Sequence, residues 1–469
     1  APPAAAEREE RVRVDVGVAV YEFTNRGAGL TLARLKRYLT DKGQPVDLAP
    51  GGGPALRPLF FRGGPAAEKL NAAAYQIEGG GLTLTPEKPE GQLRFLYRSP
   101  EGLLAEKALA FRHGEYAIGL RVKVEGAGAP TALALGPEVG GSDGNTYGGV
   151  VEGPMSFVGK KLHYDAPEAG KPATHGGELL WTSLQSKHFV VALVPRAGAQ
   201  GARAELLEEK GDLRKYAVSV PMQAAEARFD LYAGPKETGR LARLGVGLED
   251  SLDYGTFAFI SRPLMWVLGW LHAAAGNWGV AIILLTVLVK IIFYPLTHVS
   301  MRSMKEMQKL QPRMEQLREI YKNDRTKLNE QVMGLYREHK VNPMMGCLPM
   351  VVQIPVFFGL YEALLVSIEL RQAPFFGWVR DLSAQEPYHV YTILMGLSMF
   401  VQQKMTPTPG DPTQAKMMLF MPIVFTGMFI WYPVPVGLVI YWLVNNVLSI
   451  AQQYYVNRSI RPPKLAEEG

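Results

Sequence analysis

Val12, Val14, Val16, Val18 and Val20 alternate with mostly polar residues, the period of a half-buried strand. Asn25-Arg26-Gly27 then marks a turn. Tyr116, Ile118, Leu120, Val122 and Val124 repeat the alternation after a His113-Gly114 turn, and 189–194, 216–220 and 229–232 read as further strands. Many short strands between Gly/Pro turns favour a large antiparallel sandwich. This predicts an all-β domain over 11–253 behind a linker at 1–10.

Past residue 253 the pattern changes to apolar runs of membrane-spanning length, about 20 residues each. The stretch 254–277 is short and aromatic-rich, with Leu264, Trp266, Val267, Leu268, Trp270 and Leu271, which suits a helix lying in a membrane interface. Five spans are expected at 278–297, 343–366, 389–403, 417–432 and 436–455. Between the first two, Met301, Met304, Met307 and Leu310 recur at helical spacing, and Met314, Leu317 and Ile320 continue the stripe. Asn323-Asp324 marks a turn before a second helix carrying Leu328, Val332, Leu335 and Tyr336. The region 298–342 is therefore read as a helical hairpin. Its methionines suit either promiscuous contacts or packing between the two helices.

Charge orients these elements. The net charge of +6 is modest for 469 residues, and no Lys/Arg block marks a nucleic-acid patch. Residues 298–340 carry ten Lys/Arg against six Asp/Glu, whereas the loop 367–388 has only Arg371 and Arg380 as basic residues. Lys404 and Lys416 bound the loop 404–416, and Arg458, Arg461 and Lys464 lie in the tail 456–469. The positive-inside rule then places the hairpin, that loop and the C-terminus in the cytoplasm and the β domain outside. Export of that domain calls for a signal anchor ahead of Ala1.

Polar residues inside the spans are the most informative feature. Lys290 sits about 10 Å from the inner end of its span, counting the helical rise, at a cost of roughly 2.5–3.5 kcal/mol. Gln353 lies about 14 Å inside its own span, and Asn445 and Asn446 are about as deep from the other side. Ser398 and Thr426 fall near mid-depth, and Thr286 is one turn from Lys290. Polar groups from five helices at one level point to a hydrated groove, with Lys290 as an unpaired charge that attracts acidic groups. Glu362 is expected near the outer end of its span, away from that level.

No enzymatic chemistry is expected. His113, His163, His175 and His188 are scattered without metal-ligand spacing, and no Lys-Ser/Thr follows the Gly140–Gly144 run as a phosphate loop requires. The single cysteine, Cys347, excludes an intrachain disulfide. Neither cofactor, metal nor catalytic residue is predicted.

GNWGVAIILLTVLVKIIFYPLT (from Gly276), LQPRMEQLREIY, KVNPMMGCLPMVVQIPVFFGLYEAL, IELRQAPFFGWVRDLSAQEPY and GLVIYWLVNNVLSIAQQYYVNR resemble the YidC/Oxa/Alb family of membrane insertases. The resemblance runs from about Ile260 to Arg458. It implies a periplasmic β-supersandwich, a multi-pass bundle in the bacterial inner membrane, and a groove open to cytoplasm and lipid. Thr286, Gln353 and Trp442 match groove-lining positions, and Trp431 sits near the outer edge. Lys290 stands where the family usually has arginine, which keeps the charge but not the bidentate fork. The stretch 432–437 is longer than the family's tight turn, and the tail lacks the basic extension that some members use at the ribosome.

The implied function is insertion and folding of inner-membrane proteins, alone or with the Sec translocon and without ATP hydrolysis. The implied partners are nascent inner-membrane proteins and the lipid bilayer, and further the Sec translocon, the ribosome and the signal-recognition pathway. A small-anion transporter is the rival; it predicts inverted repeats and broken helices, and neither is visible. An exported sugar-binding or sugar-modifying domain predicts clustered aromatics and paired carboxylates, and no such pair is found.

Overall fold

The computed structural model describes residues 9–40, 42–50, 57–126, 132–137, 139–141, 152–210, 213–339, 341–342, 345, 348–406, 412–432 and 434–459. Most of the linker, Cys347, Met344, part of the Gly140–Gly144 run, part of the loop 404–416 and most of the tail lie outside the described residues. The chain forms two compact units, Ala1–Asp253 and Tyr254–Gly469.

The first unit is a β-sandwich built from one nine-stranded and two five-stranded sheets. The expected single strand of alternating valines is two strands. Gly17 adopts φ +85°, a left-handed conformation suited to glycine, and reverses the chain. Arg11–Asp15 therefore pairs antiparallel with Ala19–Thr24. The nine-stranded sheet is centred on Phe189–Ala197, Glu226–Pro235, Ala117–Glu125 and Leu104–Arg112, in that spatial order. Tyr21 and Phe23 of the first five-stranded sheet pack on Phe95 and Phe111 of the nine-stranded sheet, with ring centroids 5.9–6.4 Å apart. Two short helices complete this unit, α1 (Pro65–Ala72) and α2 (Thr238–Ala242).

One fully buried lysine ties all three sheets together. Lys107, on the nine-stranded sheet, donates to the carbonyls of Leu59 at 2.6 Å, Gly27 at 2.7 Å and Ala28 at 3.4 Å. Gly27 and Ala28 sit between strands of the first five-stranded sheet, and Leu59 precedes the Phe60–Arg62 strand of the other. Ala28 and Leu59 have φ of +47° and +73°, left-handed conformations that cost free energy in residues with a Cβ. Burial pushes the Lys107 ammonium down to about 7, and that of Lys236 likewise.

The second unit is helical. It contains α3 (Ala258–Ala275), α4 (Trp278–Lys309), α5 (Gln311–Ile320), α6 (Arg325–Glu338), α7 (Leu348–Val366), α8 (Val390–Met405), α9 (Pro412–Trp431) and α10 (Val436–Ser459). Gly276 at φ +69° ends α3, and the Asn277 side chain caps α4 by accepting from the Val280 amide. The face of α3 with Phe259, Trp266 and Trp270 is exposed, while Leu268 and Leu271 are buried. Gly359 of α7 allows that close packing, since a Cβ there would lie 3.0 Å from Ile260.

The methionine stripe is placed differently from expectation. Met301, Met304 and Met307 lie on the continuation of α4, a single 32-residue helix with Pro295 inside it. Nothing after Thr297 breaks the helical pattern until Leu310. The hairpin proper is α5 against α6, closed around Leu310, Met314, Leu335 and Val341. Among the described residues, two helices are long and apolar enough to cross a membrane, α4 and Val436–Val456 of α10; Val351–Val366 and Lys416–Trp431 are shorter apolar helices.

Candidate functional site

The site begins with α10, which carries polar side chains on one broad stripe of an apolar helix. At 100° per residue, Tyr441, Asn445, Ser449 and Gln452 share one side, with Asn446 and Gln453 beside them. Each of these except Asn445 reaches one of three neighbouring helices through its side chain. The Gln353 amide of α7 donates to the Tyr441 hydroxyl. Asn446 donates to Ser398 Oγ of α8 at 3.0 Å, and Gln453 to the Met405 carbonyl at 2.7 Å. Toward α4, Gln452 donates to Thr297 Oγ1 at 2.7 Å, and Ser449 accepts from Lys290 Nζ at 2.7 Å.

Lys290, expected as an unpaired charge, has a hydrogen-bond partner that carries no charge. Its partner is a hydroxyl, since α10 places Ser449 opposite it. Among the described residues no carboxylate lies within ion-pair distance of Lys290. Glu362, the acidic residue of α7, lies instead against Gly255, where a Cβ would collide with its carboxylate. The cation therefore keeps its full charge demand and has spent one of three donors.

The other predicted residues divide. Thr286 is buried and donates to its own helix at the Ile282 carbonyl, 2.7 Å away. Asn446 is buried, and the main chain of Asn445 accepts from Ser449. Trp442 packs edge-on against Phe357 of α7 and Phe429 of α9, with centroids 4.7 and 5.5 Å away. Thr426 donates to the Pro422 carbonyl of its own helix. Trp431 does not join the set: it is 92% exposed at the end of α9. Ser449, Tyr441, Gln452, Gln453 and Thr297 were missed, because short or amphipathic polar groups are ordinary in apolar helices. For the four on α10 the one signal was spacing of 3, 4 or 8 residues along the helix.

Beyond Trp378, Glu386 organises the segment before α8. Its carboxylate accepts from Trp378 Nε1 at 2.8 Å and from the amides of Tyr391 at 2.8 Å and Thr392 at 3.3 Å. It thereby satisfies first-turn donors that the helix itself leaves open.

The β unit offers a second cluster that the sequence did not reveal. The His163 and His175 rings lie with centroids 4.3 Å apart and planes tilted by 34°, and His175 Nε2 lies 2.5 Å from Asp165 Oδ1. Asp165 also accepts from Ser156 Oγ at 3.0 Å. No group of three metal-ligating side chains is found among the described residues.

Comparison with known proteins bears on the whole chain. The family model for the YidC periplasmic domain matches residues 11–267, and that of the 60Kd inner membrane protein matches 270–464. A protein of Syntrophus aciditrophicus named membrane protein insertase YidC is 38% identical, covering 97% of this chain and 86% of its own. Proteins of the same name from Geobacter sulfurreducens and Citrifermentans bemidjiense are 41% and 40% identical, covering 93% and 96% of this chain and 84% and 86% of their own. Two adjoining family matches and relatives aligned almost end to end leave one assignment: the chain belongs to the YidC family of inner-membrane proteins.

Proposed function

We propose that this chain inserts proteins into the bacterial inner membrane and helps them fold, through a hydrophilic groove lined by Lys290, Thr286, Gln353, Trp442, Asn445 and Asn446. The relatives' shared name supports the activity. The observation that carries the groove is the Lys290 ammonium, held inside an apolar bundle by one serine hydroxyl with no carboxylate beside it among the described residues. Such a charge has strong unmet demand for an anion in a low-dielectric setting.

In this reading α4, α7, α8, α9 and α10 are the five spans, at about the boundaries 278–297, 343–366, 389–403, 417–432 and 436–455. The α5–α6 hairpin and the C-terminus face the cytoplasm, and the β unit faces the periplasm, following the Lys/Arg distribution. Exposed Phe259, Trp266 and Trp270 make α3 an interfacial helix. Trp431 belongs to the outer rim, where a tryptophan suits the headgroup level.

A substrate's acidic flank enters the groove toward Lys290 while its apolar segment moves sideways into lipid. Burial at about 25 cal/mol per Å² drives that second movement, so no nucleotide hydrolysis is required. The hairpin receives substrates, and the Sec translocon, the ribosome and the signal-recognition pathway are its proposed partners.

The test is rescue of a YidC-depleted bacterium by the membrane-targeted protein. Protease protection scores a single-span substrate with an acidic outer flank, for wild type, Lys290→Arg and Lys290→Ala. Rescue by wild type and Lys290→Arg, with Lys290→Ala at least tenfold weaker, is expected if about 1.4 kcal/mol or more of charge attraction is lost. Equal rescue by all three removes Lys290 from the mechanism. Failure of well-expressed wild type overturns the insertase reading and favours anion transport.

A further inference from the structure

We infer that Ser449 is a positioning residue that presents the Lys290 ammonium to the substrate, acting as a fixed acceptor. This deepens the groove reading above and rests on it.

The polarity of Ser449 is set by its own helix. Its hydroxyl donates to the Asn445 carbonyl, four residues back, at 2.7 Å. A serine hydroxyl has one proton and two lone pairs. With the proton committed, only lone pairs face α4, and Lys290 Nζ lies 2.7 Å from the oxygen. The contact therefore runs from nitrogen to oxygen, and it is of the stronger charge-assisted kind when the amine is protonated.

The anchor is also rigid. Ser449 is buried, and α10 is tied to α7 through Tyr441 and to α8 through Asn446 and Gln453. A lysine side chain is long and rotamer-rich, so an untethered ammonium spreads over many positions. One acceptor on an immobile helix fixes it while leaving two of its three donors for a substrate carboxylate. That matches a point charge. An arginine fork in the same place has five donors and depends less on any single acceptor.

The test uses the full-length protein in phospholipid vesicles and two single-span substrates, one with aspartates in the translocated flank and one with asparagines instead. Initial rates of protease-protected product are measured for wild type, Ser449→Ala, Ser449→Thr and Ser449→Val. Threonine keeps the hydroxyl, and valine keeps threonine's shape without it. Ser449→Ala and Ser449→Val should slow the aspartate substrate about tenfold, the loss expected for a hydrogen bond to a charged group. The asparagine substrate and Ser449→Thr should stay near wild type. Ser449→Ala should add little to Lys290→Ala, and less to Lys290→Arg than to wild type.

Unchanged rates in Ser449→Ala and Ser449→Val overturn the inference and leave the insertase standing. Equal slowing of both substrates, or Ser449→Thr as slow as Ser449→Val, shows a packing role and overturns it as well. A wild type that inserts neither substrate overturns the insertase reading, and this inference with it.

Discussion

Replacing Lys107 with methionine should change how the β unit's stability depends on pH, with the sign and size following from the geometry. The ammonium is fully buried, and its demand for hydrogen bonds falls on three backbone carbonyls. Desolvation lowers its pKa from 10.5 to about 7. Between those values the unfolded chain binds more protons than the folded one, so stability rises with pH. Below about 7 the folded state carries the full burden of the charge; above it the group becomes a neutral amine. Two donors then remain for the close carbonyls of Gly27 and Leu59. From pH 6 to pH 9 the linkage relation gives a gain of about 2–3 kcal/mol from this group alone. Lys107→Met cannot gain it, and it orphans carbonyls at roughly 1–3 kcal/mol apiece.

Lys236 has the same sign of shift but is present in both proteins and cancels. For a unit of this size, 2–3 kcal/mol is about 5–10 °C of melting temperature. Calorimetry of the full chain in detergent, read at the β unit's transition, should show wild type gaining on Lys107→Met by that amount as pH rises from 6 to 9. Parallel curves, or a gap that closes with pH, would show that the ammonium is not held as described.

Glu386→Ala should cost about 2–4 kcal/mol, because three donors, from Trp378, Tyr391 and Thr392, lose a buried acceptor. Glu386→Gln should keep part of that, and a chemical-denaturation series followed by tryptophan fluorescence would separate the two. Gly396→Ala puts a Cβ into Thr426 Oγ1 where α8 meets α9, so a loss of about 1–3 kcal/mol is expected from overpacking. Adding Thr426→Ala should recover most of it in a thermal-shift measurement; no recovery would mean that the two helices do not meet there.

The sequence disclosed most where a local period carried the information. Alternation marked the strand at 117–125, short apolar segments between turns marked those read at 189–194 and 229–232, and the helical stripe marked α5 and α6. It failed where one residue changes the chain's direction: the valines on either side of Gly17 read as one strand, and its positive φ makes Gly17 the turn of a hairpin. It failed also for contacts between sheets. His163 and His175 are 12 residues apart on the edges of different sheets, and no spacing rule joins them. Lys107 between Glu106 and Ala108 reads as an ordinary exposed strand position, yet it is buried. In the helical unit, a lysine or amide within an apolar run stands out because it is costly there, which drew attention to Lys290, Gln353 and Asn446. The serine and tyrosine that bond them cost little and drew none, although Ser398 was noticed by depth.

The continuity of α4 has a mechanical consequence. Its 32 residues extend about 48 Å at 1.5 Å per residue, so Lys290 and the base of the hairpin share one rod. Pro295 has no amide proton to give the carbonyl of Ile291, four residues earlier, and its ring crowds that turn. Bending compliance is therefore concentrated about 7.5 Å along the axis from Lys290, on the hairpin side. The rod is pinned to α10 on both sides of that point, by Lys290 to Ser449 on one side and by Thr297 to Gln452 and Lys305 to the Val456 carbonyl on the other. A lateral load at the hairpin is therefore taken up first by the contacts beyond Pro295, and the ammonium keeps its aim.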